Sequence, residues 1–275
     1  MEFRIYRPSH PGLQACVRFI AFIEVPAGTE DTYLCLFPNC TTNLSINLDE
    51  PVRIGPYKAL QNFASTSCLS PVAFDRSVRI RMINIQFEPF GLFALLGIPM
   101  QQLRNRLSSL DQLFRASALE ALYNQIADAK NETDIRKTIE QFLWQRLDPD
   151  AADPRIRRGV LGIREVPGLR MDDLSRMLNL SSRGLRKRFA QQVGISPKYY
   201  ARLARFNRAA LQIAQQPATS LTAIAADQGY FDQAHFIKEF RAFGGITPGR
   251  FQELPHKGSD FYNFEHPGPV TFGMT

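Results

Sequence analysis

Alternating apolar and polar positions dominate the first 88 residues and predict β-strands. The segment 44–48 alternates strictly, which is the two-residue period of a strand with one buried face. A longer run, 78–87, alternates in one phase up to Met82 and in the opposite phase from Ile83. Such a one-residue phase slip predicts a β-bulge or a sharp bend at that point. Frequent Pro, Gly and Asn between the runs favour a compact antiparallel barrel or sandwich.

From residue 89 to residue 147 the period changes to that of helices. Two amphipathic helices are predicted, one over 117–129 and one over 133–147, with Thr133 as the N-cap of the second. These helices either cover the open side of the barrel or pair with a second subunit, so a homodimer through 117–147 is an open alternative. The segment 148–155, with two Pro and three Asp, predicts a linker to a second domain.

Beyond the linker, the most informative pattern lies at 228–251. Asp232 is predicted to cap a short helix whose apolar face contains Phe236 and Phe240. The pair Gly244-Gly245 ends this helix, and Pro248 is predicted to prevent its resumption. The other face is polar and basic, as in a helix that enters a DNA groove.

The same pattern occurs 51 residues earlier, where Ser181 takes the place of Asp232. An internal repeat is a strong signal, and here it predicts two copies of one helix-turn-helix unit, joined by a long helix at about 198–215. The matching residues are Leu185, Lys187, Phe189, Gly194, Ile195, Ser196 and Pro197 in the first copy, and Phe236, Lys238, Phe240, Gly245, Ile246, Thr247 and Pro248 in the second.

The two copies, LSSRGLRKRFAQQVGISP and GYFDQAHFIKEF with GITP after it, resemble the AraC/XylS family of transcriptional regulators. The resemblance covers about 155–251 and implies a DNA-binding domain of two helix-turn-helix units and no enzymatic activity. The segments FPNCTTNLSINL and 77–114 are similar to a less characterised type of sensor domain that precedes such DNA-binding domains. That similarity implies a small β-barrel and leaves the ligand open.

The expected fold class is α+β. It combines an N-terminal small β-barrel-like (cupin-like) domain, followed by helices, with a C-terminal all-α domain of two helix-turn-helix units joined by a long helix. The domains are a sensor domain over 1–150 (β-rich over 1–88, helical over 89–147), a DNA-binding domain over 154–254, and an aromatic-containing tail over 255–275.

The charge is divided between the two domains in the way that this function requires. The net charge is +7, yet residues 1–154 hold 15 basic against 17 acidic residues, and residues 155–258 hold 18 against 7. A strongly basic half next to a near-neutral half favours nucleic-acid binding. No run approaches 18 apolar residues, and the N-terminus has no signal-peptide pattern, so a cytoplasmic protein without membrane contact is expected.

The resemblance, together with the polar faces of the two helices, implies the site residues. Arg and Lys suit guanine and Gln suits adenine, whereas other cations hold the phosphates. Ser181 and Asp232 are the predicted helix caps. The predicted base contacts are Arg183, Arg186 and Lys187 in the first unit and Gln233, His235 and Lys238 in the second, and the predicted phosphate contacts are Arg188, Arg202 and Arg241.

The predicted partners are promoter or operator DNA, RNA polymerase, and a small apolar or aromatic effector in the first domain. The open alternative to an effector is regulation by expression level or by a partner protein, with no ligand at all. No catalytic residue, metal site or cofactor is predicted, because only His10 among the four histidines lies in that domain. Three alternatives remain open: a DNA-repair methyl acceptor, a thiol-sensing regulator that uses the N-terminal cysteines, and a non-specific architectural DNA protein. The methyl acceptor needs a four-cysteine zinc cluster, which the spacings of Cys16, Cys35, Cys40 and Cys68 do not match.

Overall fold

The computed structural model describes residues 2–27, 33–36, 38–54, 59–66, 72–75 and 78–253. The predicted tail over 255–275 lies outside these residues, as do Cys68 and the side chain of Cys35.

The N-terminal part is built on an open antiparallel sheet of six strands in the order β1-β2-β7-β4-β5-β8, and β3 and β6 form a separate two-stranded ribbon. The mixed helix and sheet class is confirmed. The cupin-like closed barrel is not confirmed, because within the described residues β1 and β8 are sheet edges that do not pair with each other. The strands are β1 (Glu2–Tyr6), β2 (Val17–Val25), β3 (Tyr33–Leu36), β4 (Thr42–Asn47), β5 (Asn62–Ser65), β6 (Val72–Asp75), β7 (Ile80–Phe87) and β8 (Leu107–Ser109).

Helices supply the rest of the described chain, with 3-10 turns at Met100–Gln102 and Leu110–Gln112. The N-terminal helices are α1 (Pro11–Gln14), α2 (Gly91–Leu96), α3 (Ala116–Ala127) and α4 (Glu132–Trp144). The C-terminal helices are α5 (Pro154–Glu165), α6 (Met171–Met177), α7 (Ser182–Val193), α8 (Pro197–Gln215), α9 (Leu221–Asp227), α10 (Gln233–Gly244) and α11 (Pro248–Gln252).

The bulge predicted in the middle of β7 is wrong. β7 pairs without interruption with both neighbours, and the register shift lies in β2, between Val17 and Phe19. The physical reason is that β7 is central in the sheet and buried on both faces, so all residues from Met82 to Phe87 are buried. The phase of the apolar residues therefore does not report which face is buried.

Two further local predictions need correction. Thr133 is not the N-cap of α4: Asn131 is, and its side chain accepts a hydrogen bond from the amide of Asp134 at 3.0 Å. The region predicted to be helical, 89–147, also contains β8, which adds to the sheet beside β5. The cap was misplaced because Asn is a better N-cap than Thr. β8 was missed because a strand of three residues is too short to show a two-residue period.

The two faces of the sheet have different surroundings. One face, which includes Leu44, Ile83 and Ile85, belongs to the same apolar core as the stripes of α2, α3 and α4. The helices over 117–147 therefore bury their apolar residues within the chain, and a homodimer through them stays a prediction. The other face, which includes Ala21, Ile23 and Met82, forms a second, smaller apolar cluster.

The N-terminal and C-terminal parts pack directly against each other. The side chain of Asn207 on α8 donates to the carbonyl of Pro38 at 2.7 Å, and the guanidinium of Arg164 on α5 lies 2.9 Å from the carboxylate of Glu88. The apolar core is continuous across this contact. At the end of α7, Gly194 has a φ of 89°, and a Cβ there would lie 3.2 Å from the carbonyl oxygen of Met100.

We predict that Gly194→Ala lowers the free energy of unfolding more than Gly97→Ala. Both glycines end a helix with a positive φ, but nothing lies within 4 Å of a Cβ at Gly97. Gly97→Ala should therefore cost only the backbone strain, about 1–2 kcal/mol. Gly194→Ala should add roughly 1–3 kcal/mol for overpacking against Met100. Urea unfolding of the full chain measures both, and equal losses would contradict the close contact.

Candidate nucleic-acid interface

The two copies of the repeat form the same local structure. The hydroxyl of Ser181 accepts a hydrogen bond from the amide of Gly184 at 3.1 Å, and the carboxylate of Asp232 accepts one from the amide of His235 at 2.7 Å. Each helix ends at a glycine with a left-handed backbone, Gly194 after α7 and Gly245 after α10. We call α7 and α10 the recognition helices. Their inward residues Leu185, Phe189, Phe236 and Phe240 are buried.

Both recognition helices pack on α8, which therefore fixes one relative to the other. The ring of Phe189 on α7 lies 5.5 Å from that of Tyr200, near the start of α8. The ring of Phe206, six residues further along α8, lies 4.9 Å from that of Phe240 on α10. Ser196 caps α8, and Pro197 is in its first turn.

As predicted, α10 ends at Gly244 and does not resume, but Pro248 begins a separate short helix, α11, which was not predicted. The hydroxyl of Thr247 caps this helix by accepting from the amide of Arg250 at 3.3 Å. Proline has no amide hydrogen to donate. It suits the first helical position, because an amide there has no intrahelical acceptor. The same order of residues, Ser196 and Pro197, begins α8 in the first copy.

The predicted base-contacting residues differ in how far their side chains are exposed. On α7, the side chains of Arg183, Arg186 and Lys187 are exposed, and the Nε of Arg186 donates to the carbonyl of Ser182. On α10, Gln233, Lys238 and Arg241 are exposed. His235 is different: its side chain is 38% exposed, its Nε2 lies 3.6 Å from a carboxylate oxygen of Glu239, and its ring contacts that of Tyr230.

Two of the three predicted phosphate contacts already have acidic partners. The guanidinium of Arg188 lies 3.2 Å from the carboxylate of Asp153, the N-cap of α5. The hydrogen bond from Arg155 is the main cause that holds the pKa of Asp153 below its usual value, and the charge of Arg188 adds to it. The Nε of Arg202 lies 2.5 Å from Glu239.

The sequence did not reveal Glu239, the buried carboxylate that ties α10 to α8. Its side chain is 7% exposed and binds Arg202 at 2.5 Å and Arg205 at 3.1 Å. Arg205 also donates to the carbonyl of Gly229 and stacks on the ring of Tyr230. The sequence feature that could have indicated its role is that Glu239 is an acid at an inward position of the helix, between Phe236 and Phe240, where the first copy has Arg188.

A groove of about 760 Å³ lies between the two units, next to α8 and the first turn of α10. Basic side chains outnumber acidic ones along it, with Asp172 and Glu239 as the acids. Such a lining attracts polyanions. The basic residues along the groove are Arg170, Lys198, Arg202, Arg205, Arg208 and His235.

The cysteines that the structure describes are poor candidates for thiol chemistry. Cys16 and Cys40 are buried, and burial raises the pKa of Cys16 to about 11. Cys16 is therefore protonated at neutral pH, and the thiol is much less nucleophilic than the thiolate. In the described part of the chain, His, Cys, Asp and Glu form no group that could hold a metal ion.

Comparison with known proteins agrees with this geometry. The family model described as "Helix-turn-helix domain" matches residues 174–253. An uncharacterized HTH-type transcriptional regulator of Haemophilus influenzae is 26% identical over 122 residues, 43% of this chain and 41% of that protein. The HTH-type transcriptional regulator MtrA of Neisseria gonorrhoeae is 29% identical over 83 residues, 30% of this chain and 27% of that protein.

A solved structure, a probable AraC family transcriptional regulator from Rhodopseudomonas palustris, matches with a TM-score of 0.34 and 25% identity, over 37% of this chain and 96% of that one. The chain spans less than half the length of both curated relatives. Residues 174–253, the part of the chain that the family model matches, form a helix-turn-helix domain. No helix in the described residues is long and apolar enough to cross a membrane.

We predict that Glu239→Gln lowers the free energy of unfolding by about 2–3 kcal/mol, because Arg205 keeps a largely buried charge without its carboxylate. The loss should be smaller than for a fully buried pair, since Arg202 is 37% exposed. Glu253→Gln is the matched control, because its pair with Arg250 is exposed, and a change of less than about 0.5 kcal/mol is expected. Equal effects of the two variants in urea unfolding would show that Glu239 does not fix α10.

Proposed function

We propose that the chain is a sequence-specific transcriptional regulator of the AraC type, in which α7 and α10 enter successive major-groove segments on one face of a duplex. One observation carries this proposal: two helices with equivalent side-chain caps are fixed on one shared helix, and each exposes a lysine at the same position, Lys187 and Lys238. Groove segments that face the same side of B-DNA are about 34 Å apart, one helical turn.

Within this proposal, the first unit provides most of the affinity. Arg183, Arg186 and Lys187 are exposed and suit the O6 and N7 acceptors of guanine. The second unit, with Gln233 and Lys238, carries less charge on its outer face. His235 lies at the edge of the protein groove between the two units, beside Glu239. Within this proposal, its ring turns away from that carboxylate to contact a base.

The phosphate contacts divide by their existing partners. Arg241 is exposed and available to a phosphate. Arg188 and Arg202 are 47% and 37% exposed, so their guanidinium groups can bridge a phosphate and the carboxylate that already binds them. We further propose a regulatory domain over 1–150 and the DNA-binding domain over 154–254, with RNA polymerase and a second copy of the chain as further partners.

The site that we propose for an effector is the sheet face opposite α2–α4. Strand alternation puts Ala21, Ile23 and Met82 on this face beside four polar residues, Asn43, Ser45, Asn84 and Gln86, which we call the polar cluster. Cross-strand pairing places Asn43 opposite Gln86 and Ser45 opposite Asn84. The described strand residues on this face are uncharged.

Ser45, Asn84 and Gln86 of the polar cluster are buried and Asn43 is half-buried, but the cluster is incompletely hydrogen-bonded. The amide nitrogen of Asn84 donates to the hydroxyl of Ser45 at 3.0 Å. In the part of the chain that the structure describes, Asn43 Oδ1, Asn84 Oδ1 and Gln86 Nε2 are buried without a hydrogen-bond partner. Unsatisfied buried polar groups are costly and are retained where they have a use. A neutral molecule with an apolar body and one amide, hydroxyl or carbonyl group complements this face.

We predict that Arg183→Ala relaxes the preference for guanine at one position, because it removes a base contact. It should also reduce the magnitude of the slope of log affinity against log salt concentration by up to about 0.9, because one positive charge leaves the interface. Gln233→Ala should leave the slope unchanged and relax the base preference at one position. The measurement is fluorescence anisotropy on a duplex enriched from a random DNA pool, at two or more salt concentrations.

Arg79→Ala serves as the control, since it removes an exposed arginine of the N-terminal sheet and should change neither quantity. If Arg183→Ala and Gln233→Ala have equal salt slopes and unchanged base preferences, the assignment of these two helices to base contact is wrong.

A second prediction concerns the polar cluster. Gln86→Leu should raise the free energy of unfolding by about 1 kcal/mol, because it removes a buried donor that lacks an acceptor. A thermal-shift assay on the full chain measures both the change in stability and the response to ligands. Neutral probes such as benzamide and hexanamide should stabilise the wild type more than the variant. Destabilisation by Gln86→Leu, with no loss of probe response, would show that Gln86 serves the fold and not a ligand.

A further inference from the structure

We propose that α10 identifies thymine by its C5-methyl group, through Ala234 and Ile237, whereas α7 identifies guanine through arginine. This inference rests on the proposed function, since it names what the second recognition helix selects. It does not depend on the hydrogen-bonding residues that the sequence suggested for that helix.

The first observation is the position of Ile237 on α10. The apolar residues that hold the helix to the core, Phe236, Phe240 and Phe243, are almost completely buried, whereas Ile237 is 36% exposed. Ala234 is also exposed. Ile237 is therefore not needed to fill the core. It lies in a shallow open depression on the outer side of the helix, lined by Ala234, Ile237, Lys238, Arg241 and Ala242.

The second observation comes from the repeat. The position of Ile237 corresponds to Arg186 in the first unit, and the position of Ala234 corresponds to Arg183. The lysine is the same in both units, as Lys187 and Lys238. Two outward positions therefore carry guanidinium groups on α7 and aliphatic groups on α10, in helices that have the same caps and the same buried face.

The chemistry of the major groove gives these aliphatic side chains a specific target. The C5-methyl of thymine is the apolar group that an unmodified base pair presents there, and small apolar side chains contact it favourably. An aliphatic side chain has no hydrogen bond to offer to guanine or adenine. Lys238 and Arg241 border the same depression, and their charge complements the phosphates on either side of the groove. This combination fits a DNA groove better than an apolar protein surface.

The test removes the methyl group and leaves the base pair intact. In a duplex enriched from a random pool, thymines are replaced by 2′-deoxyuridine, first in the block contacted by α7 and then in the block contacted by α10. For the wild-type chain we expect about a fourfold loss of affinity per contacted methyl in the α10 block. Replacement in the α7 block should change the affinity less than twofold.

The variant Ile237→Ser should bind the thymine and uracil duplexes of the α10 block with equal affinity. Leu161→Ser, which alters an exposed aliphatic residue on α5, should keep the full uracil effect. Ile237→Arg, which copies the first unit, should shift the preferred base in the α10 block from thymine toward guanine. Circular dichroism of each variant establishes that it is folded, and the wild-type uracil experiment needs no variant at all.

The outcomes separate this inference from the proposed function. If the wild-type chain enriches a sequence motif but shows no uracil effect in the α10 block, the thymine inference is overturned and the proposed function stands. If no motif is enriched, the proposed function itself fails. If Ile237→Ser keeps the uracil effect but abolishes activation of a reporter gene, the depression is a protein-docking surface and the inference is wrong.

Discussion

The burial of α8 is the constraint on which the positions of both recognition helices depend. Its apolar residues are covered by α7 at one end and by α10 further along, through the contacts of Tyr200 and Phe206. Arg202 and Arg205, on its more polar side, bind the buried carboxylate of Glu239 on α10. Because one rigid helix has apolar contacts with both units and an ionic contact with α10, the units cannot rotate independently without exposing apolar surface.

The same helix also contacts the N-terminal half of the chain. Asn207 donates to the carbonyl of Pro38, so a movement of the N-terminal part acts on α8 directly. A second connection runs along β7, which carries Gln86 of the polar cluster and is followed at once by Glu88, the partner of Arg164 on α5. A ligand on the proposed effector face would thus lie two residues from an ion pair with the C-terminal part. In the proposed regulator, this proximity would connect an effector on that face to α5.

The C-terminal half was largely predictable from the sequence, because its determinants are local. The caps, the apolar stripes and the glycine ends each lie within a dozen residues, and the repeat supplied two instances of each. Two features there were missed: Glu239 pairs with Arg202 and Arg205 some 35 residues away on another helix, and Pro248 begins the short helix α11. In the N-terminal half, the strands were visible but their pairing was not. Because β7 is buried on both faces, its apolar pattern predicted a bulge in β7, whereas the register shift lies in β2. The edge strand β8 is defined by its pairing with β5, which the spacing of apolar residues does not show.

A hydroxyl-radical footprint of the full chain on an enriched duplex shows whether two rigidly linked helices contact one face of the DNA. The account predicts two protected stretches on the same face of the duplex, with centres about 10–10.5 base pairs apart. It also predicts that Ile237→Arg alters only one of them. A single protected stretch, or two stretches on opposite faces of the DNA, would contradict the claim that α8 holds both recognition helices for simultaneous binding.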